Sequence, residues 1–393
     1  MSRRPLTSWL PSALLAVATT AALVAVPRSQ PVDGPGSGPS ADRSVQAARV
    51  DQVRTAPGPG QAPQGGKARP DAHDVVLAVH GGAGAALDRE TTTPAREKAY
   101  RDGLASALLA GRRVLDEGGS SVAAVAAAVR RLEDDPLFNA GRGAVFNADA
   151  EHELDASVMR GSDLAAGAVA GVRSLRNPVD GARLVMEKSQ HVLLAGEGAD
   201  DFGARHGLAT VTQDYYWTQA RWDALMRAKE AERGSKTASR SPEALLDEES
   251  KGTVGAVAVD RRGDVAAATS TGGTTNKLPG RIGDSPLIGA GTYAKNTTAA
   301  VSATGAGEFF IRGAATSTVS GLMEFKGLGV APAAYEVVVE RLPRLGGRGG
   351  VIALTRDGVF DAPHSSPGML HGYLTEDGDV VTKIFPDESP ANT

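Results

Sequence analysis

Apolar and polar positions along the chain alternate between two regimes. Short, near-continuous apolar runs recur at DVVLAVHGG (74–82), ELDASVM (153–159), AAGAVAGV (165–172), TVGAVAVD (253–260) and DVAAATS (264–270). Runs this brief, bounded by glycine or turn residues, predict strands covered on both faces. Between them the apolar residues fall at helical spacing. Thr93-Pro94 forms a cap with proline in the first turn, and Leu104, Leu108 and Leu115 carry a stripe to Gly118-Gly119. Ser120 or Ser121 caps a second helix whose Val122, Val125, Val129 and Leu132 share one face, ending before Pro136. Further helices are predicted over 178–186, 307–321 and 332–342. Turns at Arg261-Arg262-Gly263, Arg356-Asp357-Gly358 and Asp377-Gly378 join apolar runs as hairpins. The order is strands, helices, a break, strands, helices, strands. It predicts an α+β fold of packed helix and antiparallel sheet rather than a doubly wound parallel sheet.

Two stretches fit neither regime. Residues 27–70 are Pro, Gly, Ser, Gln and Asp with few large apolar side chains, which reads as a disordered linker. Residues 228–252 (AKEAERGSKTASRSPEALLDEESKG) read as a flexible tail before the strand that opens at Thr253. Ahead of the linker, MSRRPLTSW and the apolar SALLAVATTAALVAV make residues 1–26 an export signal. Ser2-Arg3-Arg4 and Leu6 resemble the twin-arginine type, and an uncleaved anchor is the alternative. The protein is therefore expected outside the cytoplasm, secreted or at the cell envelope, without stable membrane insertion once the signal is removed.

With 393 residues the chain can bury a sizeable core, and its net charge of −4 with scattered Lys and Arg offers no surface for nucleic acid. There is no cysteine, so disulfides, thiolate metal sites and a cysteine nucleophile are excluded. HGGAGA (80–85) follows a strand but lacks the residues of a phosphate loop, and reads as a turn or a loop packed near a site. No Gly-x-Ser-x-Gly elbow or His-Glu-x-x-His pair occurs. What remains is a concentration of hydroxyls and glycines after residue 252. Thr253 opens a hairpin strand that Thr271 closes, so the two should be neighbours. Arg281 and Asp284 are three apart in KLPGRIGDSP, matching the carboxylate and ammonium of an amino acid, or else forming an internal ion pair. SATGAGE (302–308) offers Thr304 and Gly305 as an oxyanion hole, or a helix start. A threonine needs a base to become a nucleophile. Its own α-amine can serve if the Gly252-Thr253 bond is cut, which makes the chain a precursor that cleaves itself there.

These segments carry a family resemblance. GTVGAVAVD (252–260), AAATSTGGTTNKLPGRIGDSPLIGAGTYA (266–294) and SATGAGEFFIR (302–312) resemble the β-subunit of the plant-type L-asparaginase and isoaspartyl peptidase family of N-terminal-nucleophile hydrolases. AVHGGAG (78–84), PLFNAGRGAVFNADAEHELDASVM (136–159) and AGAVAGVRSLRNPV (166–179) resemble its α-subunit. HSSPGM (364–369) departs from the pattern, standing where an Asn-Thr pair is expected. The resemblance implies a four-layer αββα sandwich in which residues 71–393 form one catalytic domain, with 71–252 becoming the α-subunit and 253–393 the β-subunit. It implies Thr253 as nucleophile, Thr271 as its activating partner, and Thr304, Gly305 and Asn139 around the oxyanion. Arg281 and Asp284 would hold the substrate, with the backbone of Gly305 and Gly307. A structural sodium ion would sit on the main-chain carbonyls of Leu132, Glu133, Asp135, Phe138, Ala140 and Arg142, with no catalytic cofactor. The implied activity is hydrolysis of asparagine or of β-aspartyl dipeptides by a dimer of αβ units. The alternatives are a glycosylasparaginase and a non-catalytic secreted amino-acid-binding protein.

Overall fold

The computed structural model describes residues 70–84, 86–234 and 252–389. The export segment, residues 27–69 of the linker, Ala85 and residues 235–251 lie outside the described residues. The strands are β1 Val75–Gly84, β2 Leu154–Arg160, β3 Ala166–Val172, β4 Leu193–Ala195, β5 Val254–Val259, β6 Val265–Thr271, β7 Thr292–Ala294, β8 Ala299–Gly305, β9 Gly349–Thr355, β10 Phe360–Asp361, β11 Gly368–Thr375 and β12 Val380–Lys383. The helices are α1 Pro94–Asp116, α2 Ser121–Glu133, α3 Pro178–Lys188, α4 Gly196–Arg205, α5 Gln219–Gly234, α6 Gly307–Gly313, α7 Ala315–Lys326, α8 Val330–Tyr335 and α9 Leu342–Arg344. No helix among the described residues is long and apolar enough to cross a membrane.

Two sheets form the middle of the molecule. The larger has the order β12-β11-β1-β5-β6-β2-β3-β4 and the smaller β10-β9-β8-β7. Every pairing is antiparallel except β3 with β4. Strand periodicity sorts the side chains into three apolar layers. Val254, Ala256 and Ala258 of β5 join Leu104, Leu108, Val125 and Val129 of the helices on one face. Val257 and Val259, on the other face, meet Ile352 and Leu354 of the second sheet. Val301, Val351 and Ala353 turn outward to Phe310, Val319 and Val338. These are the three interfaces of an αββα sandwich. Strands covered on both faces need apolar residues at every position, which is why β5 and β6 read as continuous runs.

Most predicted boundaries hold. Thr93 and Ser120 cap α1 and α2 through their side chains, accepting from the amides of Arg96 and Ala123. Three stretches differ from expectation. Helix α5 runs to Gly234, so the segment read as loose from Ala228 begins as helix. The helix predicted over 307–321 is two, because Ala314 takes a left-handed conformation at φ 44°. The helix predicted over 332–342 starts at Val330 and widens to π-helix over Glu336–Arg341. Pro343 follows that widened turn and has no amide proton with which to continue an α-helical ladder.

Candidate active site

One end of the layer between the sheets is polar. Thr253 shares the strand parity of Gly255 and Val257, and Thr271 that of Ala267 and Thr269, so both hydroxyls face the second sheet. Strand β8 of that facing sheet presents Ser302 and Thr304 on the same side as Ala300. His80 of β1 completes the group. It is fully buried, and burial lowers its pKa to about 3, so it is neutral. A carbonyl only accepts, so the 2.9 Å contact from His80 Nδ1 to the Thr253 main-chain oxygen is an N–H donation. Nε2 then accepts from the Ser302 hydroxyl at 2.9 Å. His80 thus holds the backbone of Thr253 and is not a base for its hydroxyl. Thr304 Oγ1 accepts from the Ala83 amide at 3.0 Å, fixing the end of β1 against β8.

The bond before Thr253 is held from several sides. The Thr253 hydroxyl donates to Thr271 Oγ1 at 3.1 Å, and Thr271 donates to the Gly252 carbonyl at 3.3 Å. Asn139 Nδ2 donates to the same carbonyl at 2.7 Å and to the Gly273 carbonyl at 2.7 Å, while its Oδ1 accepts from the Val145 amide. Both donors and the oxygen of this buried amide are engaged. The glycines of HGGAGA explain themselves here. A Cβ on Gly82 would lie 2.7 Å from Gly252 Cα. Only glycine lets β1 approach the junction this closely.

A small pocket opens beside the junction, lined by Gly252, Thr253, Thr271, Gly273, Arg281, Asp284 and Gly305 among others. A wider depression lined by Ser174, Thr210 and Tyr215 contains none of these residues. Asp284 is buried, its Oδ2 has no partner, and burial lifts its pKa to about 7 against the pull of Arg281. The internal Arg281–Asp284 ion pair considered from sequence is not the one that forms. Arg281 Nε and Nη2 each lie 2.9 Å from Glu308 Oε1 instead. A Cβ on Gly307 would lie 2.7 Å from Asp284 Oδ1 and 3.1 Å from Arg281 Nη2, so the start of α6 presses against both groups. Gly305 pairs with Gly349, whose amide donates to Ser365 Oγ at 3.3 Å. The divergent HSSPGM segment therefore backs this wall of the pocket.

A family profile described as Asparaginase matches residues 73–384. The chain belongs to the asparaginase family. Among similar proteins, "Isoaspartyl peptidase" of Salmonella typhimurium is 51% identical over 79% of this chain and 98% of that protein. The Escherichia coli protein of the same name is 49% identical over 79% and 96%. "Probable isoaspartyl peptidase/L-asparaginase 2" of Arabidopsis thaliana is 40% identical over 79% and 98%. The αββα architecture is the N-terminal-nucleophile hydrolase fold expected of such an asparaginase.

Asparaginase-family resemblance also pointed to the loop after α2. Two of its carbonyls press on glycines: a Cβ on Gly141 would lie 2.3 Å from the Glu133 oxygen, and one on Gly143 would lie 2.1 Å from that of Phe138. The carbonyls of Asp135, Phe138 and Ala140 each accept a backbone N–H, which leaves a lone pair on each. Such a nest of neutral oxygens suits a monovalent cation. The Glu133 side chain does something else. Its Oε1 accepts from the Ser270 hydroxyl at 2.6 Å and the Val179 amide at 2.9 Å, and burial lifts its pKa to about 8. It ties α2 to β6 and α3 as a neutral acid. Among the described residues no cluster of His, Asp or Glu side chains could hold a metal.

Sequence reasoning missed His80, Ser302 and Glu308 as site residues. All three stood within quoted motifs, His80 in HGGAGA and Ser302 and Glu308 in SATGAGE. What hid them was distance along the chain: His80 meets Ser302 across 222 residues and Arg281 meets Glu308 across 27.

Proposed function

We propose that the chain is a precursor of an isoaspartyl peptidase and L-asparaginase that cuts itself before Thr253 and then uses Thr253 as nucleophile. The observation that carries this reading is the Gly252 carbonyl held by Asn139 and Thr271 while the Thr253 hydroxyl bonds to Thr271. Attack by Thr253 Oγ1 on the Gly252 carbonyl carbon places negative charge on an oxygen that already has two donors. Collapse breaks the C–N bond, leaving an ester on Oγ1 and a free α-amine on Thr253. Water hydrolyses the ester, releasing the Gly252 carboxyl group. The amine, with a reference pKa of about 8, is then the base adjacent to the hydroxyl. In turnover Thr253 attacks the side-chain amide carbon of asparagine or the isopeptide carbon of a β-aspartyl dipeptide. Ammonia or an amino acid leaves, and water releases aspartate. The α-amine of Thr253 passes the protons, Thr271 hydrogen-bonds the hydroxyl and helps activate it, Asn139 with Gly305 and Thr304 surrounds the oxyanion, and Gly307 keeps the clamp residues in place. Arg281 takes the α-carboxylate and Asp284 the α-ammonium, the half that both substrates share. The names and identities of the similar proteins support both activities.

A denaturing gel and parallel kinetics test the reading. Two chains, the smaller beginning at Thr253, are expected, with hydrolysis of asparagine and β-Asp-Leu. A single full-length chain after prolonged incubation sinks it.

Asp284 must be ionised to hold an ammonium group. With its pKa lifted to about 7 by burial, its protonation is expected to add up to tenfold per pH unit to the fall of kcat/KM for asparagine below pH 7, on top of the loss from protonating the Thr253 amine. A flat profile between pH 5 and 7 would remove Asp284 from this role.

The carbonyls of Leu132, Glu133, Asp135, Phe138, Ala140 and Arg142 would hold a sodium ion that braces the loop carrying Asn139. A higher Tm in sodium chloride than in choline chloride of equal strength is expected, and equal values argue against it.

A further inference from the structure

We infer that Glu308 is a specificity residue: it sets the charge of the clamp so that the pocket accepts zwitterionic α-amino acids and rejects anions that lack the amine. The inference rests on the clamp assignment above and adds a third charge to it. Arg281 is the cation that faces the pocket, and its side chain is only 16% exposed. One edge of its guanidinium, Nε and Nη2, is spent on Glu308 Oε1 at 2.9 Å for each contact. Nη1 lies on the other side, where a Cβ on Gly283 or Gly273 would meet it at 2.8 or 3.3 Å. Gly283 and Gly273 both line the pocket, so Nη1, with the second N–H of Nη2, is left for a ligand.

The charges now count differently. With Asp284 ionised, Arg281, Asp284 and Glu308 sum to one net negative charge, and Lys277, whose Nζ a Cβ on Gly273 would meet at 3.1 Å, and Asp155 add one group of each sign behind them. An α-amino acid brings a cation for Asp284 and an anion for Arg281, and its ammonium is favoured by both carboxylates. A ligand with the carboxylate alone meets an arginine already half neutralised and leaves the buried Asp284 facing no cation. Glu308 also adds to the field that raises the Asp284 pKa, which places it within electrostatic reach of both ends of the ligand. Its own side chain is half exposed, so it can be changed without opening the core.

Glu308→Gln keeps an oxygen for Arg281 and removes the charge. The probes are two halves of asparagine, tested as inhibitors of β-Asp-Leu hydrolysis: succinamate, which lacks the amine, and 3-aminopropanamide, which lacks the carboxylate. Succinamate is expected to inhibit the variant about three- to tenfold better than wild type, and 3-aminopropanamide to inhibit it worse by a similar factor. Glu308→Asp, which restores the charge, is expected to move both constants back. Opposite shifts are the signature, because a change in packing alone would move both in one direction. Parallel shifts, or no shift in either Glu308→Gln or Glu308→Ala with cleavage before Thr253 intact, overturn the inference. Failure of wild type to hydrolyse β-Asp-Leu would instead overturn the reading on which it rests, and this inference with it.

Discussion

Thr253→Ala is expected to remain one uncut chain and to show no hydrolysis of asparagine or β-Asp-Leu. The Thr253 hydroxyl, on the residue after Gly252, bonds to Thr271, which in turn bonds to the Gly252 carbonyl. Removing it deletes the attacking oxygen of both proposed reactions, so the loss should be complete rather than graded. The methyl that remains fits a space already occupied by the threonine, which is 7% exposed, and folding should survive. The measurement is a denaturing gel after prolonged incubation, with ammonia release assayed on the same sample. Two chains in this variant would remove Thr253 from the cleavage step, and turnover would remove it from catalysis.

Asn139→Ala is expected to slow self-cleavage by about 10²–10³, the scale seen when one donor to an oxyanion is lost. The side chain reaches the Gly252 carbonyl across 113 residues and the Gly273 carbonyl across 134. Its removal also leaves the Val145 amide without its acceptor. Stability should fall as well, by about 1–3 kcal/mol for each buried group left unpaired. The two effects are separable by comparing cleavage rate with the urea midpoint. Cleavage at the wild-type rate in a folded Asn139→Ala chain would assign the oxyanion to other donors.

The hairpin that joins Thr253 to Thr271 was legible because its logic is local. Eighteen residues separate Thr253 from Thr271, a glycine turn joins their strands, and alternation along an antiparallel pair puts both hydroxyls on one face. The helix starts at Thr93 and Ser120 were legible for the same reason, since a cap reads only the next three residues. Asn139, placed near the oxyanion by resemblance, is seen in the structure on the Gly252 carbonyl. The partner of Arg281 was not legible: the internal partner weighed, as the alternative to a substrate clamp, was Asp284, three residues away, whereas the chain returns through β7 and β8 to bring Glu308 instead. Nor was the break at Ala314, because a left-handed alanine violates local preference and persists through packing on either side. The tail before Gly252 was read as loose from its composition, yet alanine and charged residues there also make good helix, and α5 runs on to Gly234.

The amide of Asn139 has two protons, and in the intact chain both are engaged by backbone carbonyls. On the proposed mechanism, one of those carbonyls belongs to the segment that departs. The uncut protein therefore obstructs its own substrate site with the peptide it is about to lose, and no separate inhibitory domain is required for latency. Each molecule would be switched on once, irreversibly, by a first-order step whose rate is independent of protein concentration.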